Sequence, residues 1–461
     1  MMFHVVGMGA IGCLVSFHLR RASGPSNSLT VIHRTARALR EARRLRGKVK
    51  VENRGIVQSV SGVHHQLSGT VLRKLPPKRI MTRRRPQRPQ PSVTEVVIDG
   101  FKKTMMGAFS TQTAALLRSG EFWTRRGTSP RRPKPLIKRR KVKPVVHRVR
   151  PINSLFVCVK AQSTLETIRS LLRRLSPNST IVLMQNGMGV YEELVANLFP
   201  NPLTRPHIVS AVITHGAWIK QKLHVVHAGI GKIDVGIMAD GQGRDFEATN
   251  KRPHHLDFLP LPRLSLDDIA VRTPDFRNDR YRSLRETMEV LLRMDPLEVS
   301  WLPIYDVQMS MRRKVVVNAV INPITALLNC KNGQILSLPE GRRICHAVCC
   351  EAEAVFRAQW EQERKAAGVT TNDVAFPQAL LATQLEKLCA EAASGTANNF
   401  SSMLADVRLG RPTEIHYMTG YLVGLGKKYG VRTPTNLALL NMVRMRTALD
   451  VGTASKTKPP A

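Results

Sequence analysis

Apolar residues are arranged in two different ways along this chain. In the first half they form short unbroken runs, at residues 3–6, 29–32, 155–159 and 180–184, each followed by a polar turn and a stretch of helical periodicity. Runs without polar alternation belong to strands covered on both faces, and strand–helix alternation predicts a doubly wound parallel sheet of Rossmann type. Further strands are expected at 209–214 and 230–236. In the second half the period is helical almost throughout, over 281–292, 313–333, 342–366, 379–393 and 413–429. The fold class expected is therefore an α/β N-terminal domain followed by a mainly α-helical C-terminal domain. The boundaries read as 1–240 for the nucleotide-binding domain, 241–280 for a polar, Pro-rich linker or second insertion, 281–450 for the helical domain and 451–461 for a tail.

The helix predicted from Arg313 departs from simple amphipathicity. Lys314, Asn318 and Asn322 recur every four residues and so share one stripe, while Val315, Val316, Val317, Ala319, Val320 and Ile321 cover the remaining surface. An ammonium and two amides on a helix otherwise surrounded by protein must be paired or must face a wet cleft. A core helix whose lysine snorkels to the surface is the plainer reading. Pro323 removes a backbone donor and is expected to kink the helix beside Asn322.

The first strand runs directly into Gly7-Met8-Gly9-Ala10-Ile11-Gly12 and then into a helix. In that setting a GxGxxG motif marks a dinucleotide site: Gly7 for the tight turn, Gly9 for close approach of a pyrophosphate, and Gly12 for packing of helix on strand. The second strand ends at His33-Arg34-Thr35, where an NAD site usually carries an acid for the ribose hydroxyls. Arg34 suits a 2′-phosphate instead, so NADPH is the cofactor expected. Lys160 and Asn186 stand just past two further strands, at the sheet edge where such folds bind ligands.

Charge changes the picture in one region. The protein has 71 Lys and Arg against 33 Asp and Glu, a formal charge of +38, and residues 73–150 alone hold 23 basic and 3 acidic residues. With its scattered prolines, the stretch from about 47 to 150 reads as a basic, disordered insertion within the nucleotide-binding domain. It is expected to attract anions non-specifically, nucleic acid among them, though it lacks the interleaved aromatics of a stacking surface. The seven cysteines form no CxxC pair and lie mostly in apolar runs, so they read as reduced core residues, and no metal site is expected. No apolar run is long enough to span a bilayer. The compartment expected is cytoplasmic, with a mitochondrial location as the alternative, and the protein is expected to be a monomer or a homodimer.

Taken together, these segments resemble the ketopantoate reductase (2-dehydropantoate 2-reductase) family of the 6-phosphogluconate-dehydrogenase-like superfamily. The resemblance runs in order through the glycine motif, Val159-Lys160-Ala161, Gln185-Asn186-Gly187-Met188-Gly189, the stretch from Lys314 to Gly333, and Ser401-Ser402-Met403 through Thr413-Glu414-Ile415. The pattern KxxxNxxxNPxTA with the later CxNG is its specific part. The basic insertion has no counterpart in the compact bacterial form.

The resemblance implies NADPH-dependent reduction of 2-dehydropantoate to pantoate, a step toward pantothenate and coenzyme A. It implies Lys314 as the catalytic lysine, Glu414 as the acid that helps position lysine and substrate, and Asn318, Asn322, Asn332 and Ser402 as substrate-binding residues. Lys160 and Asn186 fall at the cofactor and substrate junction. Gly7, Gly9, Ala10, Ile11, Gly12 and Arg34 fall on the cofactor side. The alternatives are reduction of another 2-oxo acid, or a non-catalytic relative binding RNA or an organelle component through the basic insertion.

Overall fold

The apolar runs do form a sheet. In the computed structural model, which describes residues 1–24, 26–68, 150–250, 264–270, 280–368 and 375–456, eight strands lie in the order β12-β11-β8-β7-β6-β1-β2-β5. They are β1 (Met2–Val6), β2 (Ser28–His33), β5 (Val63–Leu67), β6 (Ser154–Val157), β7 (Thr180–Leu183), β8 (His207–Ile213), β11 (Ile233–Ile237) and β12 (Val299–Trp301). Read from β5 to β8, this is the doubly wound order in which strand order reverses between β1 and β6. Those six strands are parallel to their neighbours, and β11 runs antiparallel to β8. β6 and β7 are buried at every position, as strands covered on both faces must be.

Helix α1 (Ala10–Ala22) packs into one core with Phe3, Val5, Val31 and Phe156, and the opposite sheet face carries a second core through Val6, Leu155, Ile168 and Leu194. Helix α2 (Ala36–Arg44) follows β2, and α3 (Thr164–Arg169) and α4 (Val190–Asn197) follow β6 and β7. The described residues belong to one compact unit, Met1–Val71 with Arg148–Ala461.

The fold continues past Gly47, where the sequence reading had it give way to an insertion. Strands β3 (Val49–Asn53) and β4 (Ile56–Val60) join β9 (Gly216–Gln221) and β10 (His224–Gly229) in a second sheet, and β5 completes the edge of the first. Val49 and Val51 are buried on α1, an alternation too short to stand out beside the flanking lysines and arginines. The arginine-rich stretch itself, including the region 73–149 expected to be disordered, lies outside the described residues.

The polar segment after Met238 also keeps anchors in the fold. Phe246 and Ile269 are buried, the latter in the short helix α5 (Leu266–Ile269), and the Tyr281 hydroxyl donates to Asp240 at 2.8 Å.

Beyond it come α6 (Arg282–Leu292), α7 (Ile304–Leu328), α8 (Pro339–Ala366), α9 (Ala382–Gly395), α10 (Ser402–Arg408), α11 (Thr419–Tyr429) and α12 (Pro434–Lys456). From α7 onward they share a third core, built on Val316, Ala319, Val348, Phe356, Leu385 and Leu422. α7 is the central element, in contact with α8, α9, α10, α11 and α12 and with strands β8 and β11. It runs through Pro323 to Leu328, so the helix continues past the proline beside which a kink is expected. The helix expected over 413–429 is instead a 3₁₀ turn at Ile415–Tyr417 and, after Met418, helix α11. The reason is a docking contact: the Tyr417 carbonyl accepts from the Met188 N–H at 2.8 Å, which binds this turn to the sheet edge.

Candidate active site

The register brings the expected residues to one edge. Val6 pairs with Ile32 and with Val157, and Val157 with Leu183, so the residues that follow β1, β2, β6 and β7 emerge side by side. They include Gly7, Arg34, Lys160 and Asn186.

The glycine turn has the form a dinucleotide requires. Gly7 has φ +94°, and a Cβ there would stand 2.5 Å from the Val159 nitrogen; at Gly12 it would stand 1.7 Å from the Gly7 carbonyl oxygen. Neither position has room for a side chain. At Gly9, by contrast, a Cβ would meet nothing within 4 Å among the described residues, so the turn is open at that position. Gly9 caps α1 without a side chain, and the first helical bond runs from Cys13 to Gly9, which leaves the N–H groups of Ala10, Ile11 and Gly12 without helical acceptors. Such a terminus favours a phosphate. Arg34 is exposed beside it, with no hydrogen bond or ion pair among the described residues. The turn and the helix end together fit the pyrophosphate of a nicotinamide dinucleotide.

Lys314 reaches the same edge from α7. Its ammonium donates to Asn186 Oδ1 at 2.9 Å and to the Ile213 carbonyl. Burial drives its pKa down from 10.5 to about 8, while the negative charge of Glu414 works in the opposite direction. Asn318, one turn along, is half-buried, and its side chain makes no hydrogen bond among the described residues. Asn322, a further turn along, is buried and donates to the Met418 sulfur at 3.3 Å. The stripe is therefore graded, with its lysine end at the cleft and its Asn322 end inside protein.

Lys160 is tied to the helical region by two acids. Its ammonium bonds Asp406 Oδ2 at 2.9 Å and Glu414 Oε2 at 3.0 Å, and the second oxygen of Glu414 accepts from the Ala161 N–H at 2.9 Å. Glu414 thus pairs with Lys160 rather than directly with Lys314, and it accepts at the start of the turn at Ala161–Ser163. Burial opposes the Lys160 charge, but Glu414 and Asp406 outweigh it and hold its pKa above the ordinary lysine value. Both carboxylates are buried, Asp406 at 7% and Glu414 at 4% exposure, and both are paired with Lys160.

Asp406 was not singled out from the sequence. Its one signal is an acid set between Leu404 and Val407 in an apolar stretch.

The remaining expected residues lie further out. Asn332 donates to Thr396 Oγ1 at 2.9 Å, while its buried Oδ1 has no partner. Ser402 is exposed at the start of α10; it is Ser401 whose hydroxyl caps that helix, accepting from the Leu404 N–H at 3.1 Å and meeting Thr325 Oγ1 at 2.7 Å. The 185–189 loop is held at Gly187, with φ +90° and the Tyr417 carbonyl oxygen 2.4 Å from where a Cβ would stand.

Comparison with known proteins places the chain in a family. The family model described as "Ketopantoate reductase PanE/ApbA" matches residues 112–240, and "Ketopantoate reductase PanE/ApbA C terminal" matches 306–447, together more than half of the chain. The chain belongs to the ketopantoate reductase family. It is thus an oxidoreductase with a Rossmann-like domain. Relatives of this family include a probable 2-dehydropantoate 2-reductase of Schizosaccharomyces pombe, 26% identical over 66% of this chain and 76% of that one. The 2-dehydropantoate 2-reductase of Vibrio cholerae is 29% identical over 63% of this chain and 76% of its own.

Among solved structures the fold is shared with the probable 2-dehydropantoate 2-reductase of Bacillus subtilis, at TM-score 0.51 and 16% identity over 97% of this chain and all of that one. It is also shared with a D-mandelate dehydrogenase solved with NADH and anilino(oxo)acetate, at TM-score 0.58 and 13% identity over 98% of this chain and 99% of that one. No helix among the described residues is long and apolar enough to cross a membrane.

Proposed function

We propose that this protein reduces 2-dehydropantoate to pantoate with NADPH, within pantothenate and coenzyme A biosynthesis. The observation that carries the reading is the Lys314 ammonium, delivered by α7 to the strand edge beside Asn186 with its pKa lowered to about 8. Bound on the glycine turn, NADPH supplies a hydride to the ketone carbon. As charge builds on the ketone oxygen, the Lys314 ammonium stabilises it and donates a proton. Lowering its pKa toward neutrality makes it a better acid while leaving it mostly protonated at pH 7.

Asn186 holds Lys314 at the edge. Asn318, half-buried and free, and the exposed Ser402 hydroxyl are proposed to bind the substrate's hydroxyl and carboxylate, with Asn322 and the unpartnered Asn332 carbonyl backing them. Glu414 and Asp406 hold Lys160 across the cleft, and Glu414 also sustains the charge of Lys314. The Arg34 guanidinium, unpaired among the described residues, supports the choice of NADPH over NADH.

The test is NADPH oxidation with 2-dehydropantoate. Lys314→Ala is expected to lower kcat by about 10²–10⁴-fold while NADPH binding is retained. In the wild type kcat is expected to fall as pH rises above about 8, where Lys314 loses its proton. Full turnover by Lys314→Ala would overturn the assignment.

A further inference from the structure

Three cysteines far apart in sequence converge inside the helical core. Cys345 and Cys349 lie four residues apart on α8 and so share one stripe, and Cys389 meets them from α9. The three sulfurs all lie within 4.8 Å of one another, and the residues are 4%, 0% and 0% exposed. Around them stand Val348, Ala352, Leu385 and Ala393, all apolar and buried. Among the described residues no His, Asp, Glu or fourth Cys completes the group. All seven cysteines of the chain are free thiols.

We propose that Cys345, Cys349 and Cys389 form a three-thiol site for a trivalent thiophilic metalloid of the arsenic(III) class. Charge balance selects the class. In a buried, apolar setting a net charge without a partner is costly. Three thiolates around a divalent zinc leave a net negative charge and an unfilled fourth position, and around copper(I) they leave a larger one. Around a trivalent centre the charge is zero and three ligands suffice.

The reaction is an exchange without redox change. Arsenous acid, As(OH)₃, is neutral at pH 7 and enters as an uncharged molecule. Its three As–O bonds break as three As–S bonds form, and each thiol proton leaves with a hydroxide as water. Three thiols and one As(OH)₃ thus give one As(SR)₃ and three waters. Helices α8 and α9 both pack on α7, the helix that carries Lys314, so occupancy cross-links two supports of the catalytic helix.

The test uses the full, reduced chain titrated with arsenite, with bound arsenic measured after desalting and its ligands read by X-ray absorption. One arsenic per chain with three sulfur neighbours and no oxygen is expected. Cys389→Ser is expected to weaken retention by at least about tenfold and to replace one sulfur by oxygen. Cys350→Ser, which alters an exposed thiol on α8, is expected to bind as the wild type does. Cys389→Val, apolar and close in volume, removes the ligand without opening the core and serves if the serine variant fails to fold. No arsenic retained by the wild type, unchanged binding in the Cys389 variants, or tighter retention of zinc than of arsenic would each overturn the proposal.

Discussion

At the scale of single residues, the cleft depends on a lysine placed where its charge is costly. The Lys314 pKa of about 8 means that the folded protein binds this proton less tightly than the unfolded chain, whose value is near 10.5. Below pH 8 both states are charged and the folded state bears the full cost. Between 8 and 10.5 the unfolded state holds more protons, so stability rises with pH; above 10.5 both are neutral and the effect is gone. Lys314→Met keeps the volume and removes the charge. It is expected to raise stability by about 2 kcal/mol at pH 7, discounted for residual solvent access, with the gain shrinking to nothing by pH 10.5. Denaturant unfolding at a series of pH values measures it, and a variant less stable than wild type at pH 7 contradicts the burial argument. The residue was legible in the sequence because a lysine set among valines at four-residue spacing from two asparagines has few structural uses. Asp406 was not, because its partner Lys160 lies 246 positions away.

At the scale of elements, the β1 to α1 turn separates two roles that one motif combines. Gly9→Ala adds a methyl group that meets no protein atom, whereas the same change at Gly12 drives it into the Gly7 carbonyl. Gly9→Ala is therefore expected to melt as the wild type does yet bind NADPH about tenfold more weakly or worse. Gly12→Ala is expected to cost about 1–3 kcal/mol of stability or more. Thermal melts paired with NADPH titration distinguish the two, and equal effects on both quantities would refute the division. The motif predicts both roles, but only the built turn tells which glycine faces protein and which faces open space.

At the scale of the whole molecule, the sheet edge and the helical region meet through polar contacts, two of them made by the Lys160 ammonium. Its bonds to Glu414 and Asp406, with the Ala161 N–H to Glu414, fasten the residues after β6 to α10 and to the segment that follows it. A double-mutant cycle of Lys160→Met and Glu414→Gln is expected to show a coupling of about 1 kcal/mol in stability, low in the usual range because the lysine is partly exposed. In kcat the two changes are expected to be less than additive, since either one releases the same fastening. Fully additive effects in both would mean that the pair does not act as a unit.

What the sequence determined by itself is what local pattern can encode. Unbroken apolar runs specified buried parallel strands, the glycine spacing specified the turn, and a four-residue repeat specified the polar stripe. Each rests on backbone geometry within about one turn or one strand, so each is readable without knowing the neighbours. What only the tertiary structure decided is pairing over distance. It gave Glu414 to Lys160, put Ser401 rather than Ser402 at the helix cap, kept residues 49–67 in the fold and broke the expected helix at Met418. The convergence of Cys345, Cys349 and Cys389 is of the same kind. In all of these the partner comes from another element, and its identity is set by how buried charge, hydrogen bonds and volume are satisfied once the chain is packed.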